Sequence, residues 1–363
     1  MDPRLNAGSP CTTTTKNAMN RRGSYQSPAA WFFAALLCSA LTLAPTGTVS
    51  AQEIRPRTIK IATQNPKGHP TVSGMEKFAE LATVKSGGKF KVNLFPGGVL
   101  GGDAQNLSAL QGGTLEMVVM NSGILANVSR EFTVFDFPFM FADTHEADAV
   151  VDGAFGRMMH AKLEPRGVVG LTYWELGFRQ ITNGKRPILR VEDIAGLKLR
   201  VIPNAINVDW VGALGANPTP MAFPEIYAAM ESKAIDGQEN PFTVIDSNKF
   251  HEVQKYLAIT NHQYNPQSVL ISRKVWDTFS AIEKKVLTDS ALEAARYQRQ
   301  VAREQAAVAL GNLKKAGMQV SELNAAELAK FRARIKPVIE KHSVIVGADT
   351  VRALQAELAR LRK

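Results

Sequence analysis

One cation in this sequence sits where patterning alone would not place it. Arg200 closes the short apolar stretch Leu197-Lys198-Leu199-Arg200-Val201-Ile202, which reads as a strand. A guanidinium presents a planar fork of donors that suits a carboxylate bidentately, and it stays charged at any relevant pH. The competing reading is a surface ion pair, which contributes little. Groups for covalent or metal chemistry are hard to find. No Gly-x-Ser-x-Gly elbow occurs, and neither Gly-Lys pair is followed by Ser or Thr as a phosphate loop requires. His145-Glu146 and His251-Glu252 begin like a zinc-protease helix, but Ala149 and Lys255 stand where the second histidine belongs. Gly97-Gly98-Val99-Leu100-Gly101-Gly102 lacks the spacing of a dinucleotide loop and reads as a turn. The chain thus offers a means of holding an acid and no evident means of transforming one.

The first fifty residues do not read as folded structure. Arg21-Arg22, an apolar run from Ala29 to Leu43 and the small residues Val49-Ser50-Ala51 form a signal peptide over 1–51, cut before Gln52. The run is too short for a membrane-spanning helix, which needs about 20 apolar residues. Cys11 and Cys38 both precede the cut, so the expected mature chain is cysteine-free, without disulfides, thiolate nucleophiles or Cys-ligated metals. Its stability must come from a large core, which roughly 310 residues can bury over two domains. The leader carries four basic residues and Asp2, so its loss lowers the net charge from +10 to +7. Acids are interspersed with the remaining cations, which argues for a solvated surface and against a nucleic-acid partner.

Strand and helix alternate along the mature part. Strands are expected at 58–63, 90–95, 115–120, 168–174, 197–201, near Ile235 and at 268–272. Helices are expected at 71–85, 103–110, 204–214 and 223–232, with one or two long ones over 280–313 and others over 325–341 and 350–362. Such alternation implies an α/β fold with parallel pairing through right-handed crossovers, and a ligand beyond the carboxyl ends of the strands. No linker separates two halves, so the chain is expected to cross between domains more than once. Domain I begins with 52–176 and is completed by about 265–305; domain II begins with 177–264 and is completed by about 306–363.

Three segments carry a resemblance. They are Gly177-Phe178-Arg179-Gln180-Ile181-Thr182-Asn183, then Gly196 to Asn204 with its Lys198-Leu199-Arg200, then Pro218-Thr219-Pro220-Met221-Ala222-Phe223 followed by Asp236-Gly237-Gln238-Glu239-Asn240-Pro241. In this order and spacing they closely resemble the solute-binding proteins of tripartite ATP-independent periplasmic (TRAP) transporters, the DctP type, from about Ile59 to the C-terminus. The resemblance implies a two-domain periplasmic-binding-protein clam with long C-terminal helices and a cleft that closes on a small organic acid. It also implies delivery to a permease of a small and a large membrane subunit, without catalysis or cofactor. Arg200 takes the place of the family arginine that grips the ligand carboxylate. Arg179 matches a second family arginine, with a hinge-side ion pair as its alternative role. Asn240 matches a ligand-binding asparagine, or is a turn residue before Pro241. Phe223 matches an aromatic wall of the cleft, or packs in a helix core. Gln64, Asn121 and Asn204 match cleft positions more loosely. Relatives resembling sialic-acid binders carry a carboxylate at the place of Asn121, and relatives that bind 2-oxo acids through a metal carry an aromatic after the acid where this chain has Glu239-Asn240. Those departures argue against an amine-bearing ligand and against a metal.

Two arginines suit a C4 dicarboxylate. They equally suit one shared carboxylate, leaving Gln64, Asn121, Asn204, Asn240 and His262 to face the rest of the ligand. Neutral amides donate and accept, which fits hydroxyl groups, so a sugar acid is favoured over a dicarboxylate. An aromatic acid between Phe223 and Trp174 comes third. A sensing receptor of the same fold and a periplasmic hydrolase or lyase are the competing functions. A periplasmic monomer is expected.

Overall fold

The computed structural model describes residues 53–363; the expected signal peptide over 1–51 and its cut lie outside the described residues. The first strands are β1 (Arg57–Ala62), β2 (Phe90–Phe95), β3 (Met117–Asn121) and β4 (Val168–Phe178). They are followed by β5 (Gln180–Asn183), β6 (Lys198–Val201), β7 (Asn217–Pro220) and β8 (Gly237–Asn240), then β9 (Tyr256–Ile259), β10 (Tyr264–Ser272) and β11 (Gln319–Glu322). They form two sheets, one ordered β2-β1-β3-β10-β4 and the other β11-β9-β5-β8-β6-β7. With helices against both sheets, the architecture is α/β.

Local chemistry explains the elements around the cleft. The helix Pro70–Lys85 starts with proline at its first position, where no backbone donor is needed, and the His69 side chain accepts from Thr71 N. The 35-residue helix Ala281–Lys315 opens with a Ser280–Glu283 capping box and contains no proline, so it runs unbroken for about 50 Å. In β1, β3 and β10, side chains alternate between two cores. Ile59, Ile61, Met117, Val119 and Val269 pack with Phe78 and Leu287 on one face. Ala62, Val118, Met120 and Leu270 pack with Leu110 and Phe135 on the other.

β1 pairs in parallel with β2 and β3, as alternation implies. β10 instead runs antiparallel to β3 and β4, because the chain reaches it from β9 in the other sheet through a four-residue connection and not through a crossover helix. The four-residue strands β5, β7, β9 and β11 escape sequence periodicity altogether. β7 contains Pro218 and Pro220, which sequence reading takes for a break, yet it is an edge strand, where proline is tolerated. The chain passes between the sheets from β4 to β5, from β9 to β10, and once more along the long helix, which packs on Pro70–Lys85, on β4 and on the helix Phe242–Ser247.

The long helix also repairs a defect in the first sheet. The register of β4 against β10 slips where Gly177 faces Asn265 but Glu175 faces Pro266, which has no backbone donor. The fully buried Gln298 takes over the vacant pairing. Glu175 N donates to its Oε1 at 2.8 Å, and its Nε2 donates to Glu175 O at 2.7 Å. Q298L would leave both backbone groups buried and unpaired, at a cost of about 2–4 kcal/mol. The urea unfolding midpoint should fall accordingly, and an unchanged midpoint would show that water replaces the amide.

Candidate functional site

Between the sheets lies a partly open cavity of about 450 Å³, a volume that includes the solvent at its mouth. Its walls come from the carboxyl ends of β1 and β3 in one sheet (Gln64, Asn121) and of β6 and β8 in the other (Arg200, Asn240), with Phe223 and Arg179 completing it. Parallel strands end in backbone that is free to turn and present side chains, which is why α/β sheets hold ligands there.

Arg200 reaches the cavity because β6 alternates: Leu199 and Val201 go into the core and Arg200 goes to the opposite face. The residue is 3 % exposed. Its Nε donates to Met221 O at 3.0 Å. Among the described residues it makes no ion pair within 4.0 Å. Burial lowers its pKa to about 10, against the pull of Glu239, so the group remains a cation at neutral pH. An unpaired buried charge is costly, and its terminal nitrogens stand at the cavity wall.

Arg179 is in the opposite condition. It occupies the single residue between β4 and β5, where the chain changes sheets. Its Nε and Nη2 both donate to the Glu239 carboxylate, Nη2 also to the Glu239 carbonyl, and Nη1 donates to Asn265 Oδ1 at 2.8 Å. Both partners are almost wholly buried. Burial alone would raise the Glu239 carboxyl; Arg179 and His262, whose Nε2 lies 3.4 Å away, overcome it and hold the acid at about 2. Arg179 thus lines the cavity with its charge already neutralised.

The amides divide. Gln64 Nε2 donates to Gly101 O at 2.9 Å and Asn121 Oδ1 accepts from Gly123 N at 3.1 Å, which leaves Gln64 Oε1 and Asn121 Nδ2 buried without a partner. Asn240 Nδ2 donates to Gln238 Oε1 at 2.5 Å. Asn204 is not among the cavity residues. It caps the helix Ala205–Ala213, with Oδ1 accepting from Ile206 N and Nδ2 donating to Asp136. Two further expectations are corrected. Trp174 is fully buried in the core against Gly74 and the long helix, so it forms no wall. His262 lies beneath Glu239, beside Trp210 and Phe331, and faces no ligand space.

Sequence reading missed Asp103 and Gln267. Asp103 is half-buried at the start of the helix Asp103–Gly112; burial raises its carboxyl to about 6, with Arg200 pulling the other way. The glycine run that precedes it is a turn, as expected, with positive φ at Gly97, Gly98 and Gly101. A Cβ on Gly98 would stand 2.8 Å from Gln64 Oε1, so only glycine leaves that oxygen room. Among the described residues no cluster of three His, Cys, Asp or Glu is placed to hold a metal.

The Arg179–Glu239 pair yields a signed pH effect. A carboxyl held below its unfolded value stabilises the fold above about pH 4, and the contribution is lost as pH falls toward 2. E239Q strands a buried cation and should cost about 3–5 kcal/mol at pH 7. By urea unfolding, the gap between wild type and E239Q should narrow from pH 5 to pH 2.5; a constant gap would mean that the pair's charge does not stabilise the protein.

Residues 61–344 match the family described as bacterial extracellular solute-binding protein, family 7, DctP. A TRAP periplasmic solute-binding protein from Ochrobactrum anthropi, solved with its C-terminus bound in the ligand-binding pocket, is 52% identical. That structure covers 85% of this chain and 97% of its own, with a TM-score of 0.77. The sugar acid binding protein DctPAm from Advenella mimigardefordensis, solved with galactonate, is 38% identical, with a TM-score of 0.83 over 85% of this chain and 99% of its own. The C4-dicarboxylate-binding periplasmic protein DctP of Rhodobacter capsulatus is 33% identical over 301 residues, 82% of this chain and 89% of that one. Sheet order, cleft and sequence agree: this chain belongs to the DctP family of bacterial extracellular solute-binding proteins, the solute receptors of TRAP transporters.

Proposed function

We propose that this protein captures a small hydroxylated acid, an aldonate or uronate, in the periplasm and delivers it to a TRAP permease of a small and a large membrane subunit. The observation that carries this reading is the buried, unpaired guanidinium of Arg200 at the wall of a cavity that sets the amides Gln64, Asn65, Asn121, Asn240 and Gln267 beside an apolar side of Val119, Met120, Leu176 and Phe223. A ligand carboxylate on its free fork would supply the missing counter-charge. The Ochrobactrum structure supports the same choice, since a chain terminus carries a carboxylate into that pocket.

One carboxylate fits better than two. Arg179 is already paired with Glu239, and a second ligand carboxylate would meet Asp103 with no free cation beside it. The unpartnered Gln64 Oε1 accepts from a hydroxyl, and Asn121 Nδ2 donates to one. The galactonate held by DctPAm is an acid of this kind. An aromatic acid loses half its proposed stacking wall with Trp174 in the core. Binding without catalysis is the reading because the titratable side chains at the cavity, Asp103, Arg179 and Arg200, include no nucleophile with a base beside it. Transport is preferred to sensing on family grounds, and permease genes beside this one would support that choice.

A thermal-shift panel on the mature protein tests the ligand class. Galactonate, gluconate or galacturonate should raise the melting temperature more than succinate or an aromatic acid. Stabilisation by succinate alone would overturn the sugar-acid reading, and by amino acids alone the organic-acid reading. R200K keeps the charge but loses the planar fork, and should weaken binding by about 2–5 kcal/mol in calorimetry while leaving the unfolding midpoint near wild type. Unchanged affinity would move the anchor to Arg179.

A further inference from the structure

One buried carboxylate near the chain crossings belongs to neither arginine pair nor cavity wall. Asp136 ends the 3-10 turn Arg130–Asp136, is fully buried and makes no ion pair among the described residues. Three asparagine amides converge on it instead. Asn204 Nδ2 and Asn207 Nδ2 each donate to its Oδ2 at 2.9 Å, and Asn265 Nδ2 donates to its Oδ1 at 3.1 Å. The first two stand at the start of the helix Ala205–Ala213, which packs with the second sheet, and the third stands on β10 of the first. Gly123 closes the remaining side, where a Cβ would fall 2.2 Å from both carboxylate oxygens. Burial raises this carboxyl to about 6, against the pull of Arg179 and of the Asn207 and Asn204 amides, with Glu239 adding to the rise. The protein thus tolerates an unfavourable ion at this place.

A carboxylate only accepts, whereas an asparagine amide donates from one arm and accepts on the other. Each amide that turns its NH2 toward Asp136 must therefore turn its oxygen away. Asn204 Oδ1 accepts from Ile206 N at 3.4 Å, starting the helix. Asn207 Oδ1 accepts from Trp210 Nε1 at 2.9 Å and Gln263 Nε2 at 3.4 Å. Asn265 Oδ1 accepts from Arg179 Nη1 at 2.8 Å. Backbone carbonyls assist: Asn204 Nδ2 also donates to Gly123 O at 3.2 Å, and Asn265 Nδ2 to Phe135 O and Tyr264 O at 3.5 Å. The anion is the shorter acceptor in each case, and one of these amides holds the guanidinium in the cavity wall.

We propose that Asp136 is a positioning residue for ligand capture: its carboxylate orients the Asn265 amide, and through it the Arg179 guanidinium, from outside the cavity. This rests on the cavity being the ligand site. In D136N one arm of the side chain becomes a donor. With the other arm still accepting from Asn204 and Asn207, that donor meets the NH2 of Asn265. The Asn265 amide then turns round and sets its own NH2 against Arg179. Adding N265D restores an acceptor toward both neighbours.

Galactonate calorimetry and urea unfolding of the ligand-free protein, both on the full mature chain, test this. D136N should bind galactonate about tenfold more weakly, the scale of one lost hydrogen bond to a charged group. D136N/N265D should recover most of that affinity and of the unfolding midpoint. Unchanged affinity in D136N, or no recovery in D136N/N265D, would overturn the proposal. If wild type binds no acid of the panel, the proposed function falls by itself. The ligand-free midpoints then decide the role of Asp136, and a D136N/N265D midpoint no higher than that of D136N overturns it.

Discussion

A guanidinium taken out of water must be compensated, and two of them enter this cleft under opposite terms. Arg179 finds Glu239 directly across the β5–β8 pairing, where Ile181 faces Glu239 and Gln180 faces Asn240. Arg200, on the next strand but one from β5, finds one backbone carbonyl. The difference decides what the cavity can take. A cleft with two free cations would select dianions; with one free cation and a half-buried acid beside it, it selects a single carboxylate followed by groups that share hydrogen bonds.

Rigid placement of these groups follows from where the chain changes sheets. Arg179 is the residue between β4 and β5, and Asn265 lies at the start of β10, directly after the return crossing. Side chains at such points belong to neither sheet alone, so a network through them ties the sheets to one another. The long helix adds a third tie: Gln298 completes the ladder of β4, and further along Asn312 Nδ2 donates to Asp246 on the helix Phe242–Ser247 at 2.9 Å. A cleft that closes on a ligand bends about few elements, and here those elements are held by polar bonds that lose directionality if displaced.

How much of this was legible in the sequence depends on the range of the signal. Arg200 stands out locally, as a cation in an apolar strand, and strand alternation then sends it to the cavity. Asn204, expected in the cleft on its resemblance alone, is instead the cap of the helix Ala205–Ala213. The Arg179–Glu239 pair is not legible, because it depends on pairing between two four-residue strands sixty positions apart, too short to show a period. Trp174 misleads for a related reason. It lies on the core face of β4, while Leu176, two residues on, reaches the cavity, because the register slip beside Pro266 turns the strand between them. Sequence alternation carries no mark of a bulge imposed by a partner strand ninety residues away. Asp103 was passed over because a carboxylate at a helix start has an ordinary explanation in the helix dipole.

Unmet bonds at the cavity also bear on how binding and stability are coupled. Gln64 Oε1 and Asn121 Nδ2 cost the ligand-free protein something by standing buried and unsatisfied, and Arg200 by lacking a counter-charge. A ligand that satisfies all three removes those costs at once and binds the folded state alone, so its affinity appears directly as added stability. A purely apolar acid would satisfy the arginine and leave the two amide atoms without a partner. The proposed selectivity for hydroxylated acids therefore needs no additional contact. It follows from which deficits the folded chain leaves unrepaired, and Asp136, by fixing the sense of the amides behind the wall, keeps Arg179 from becoming another.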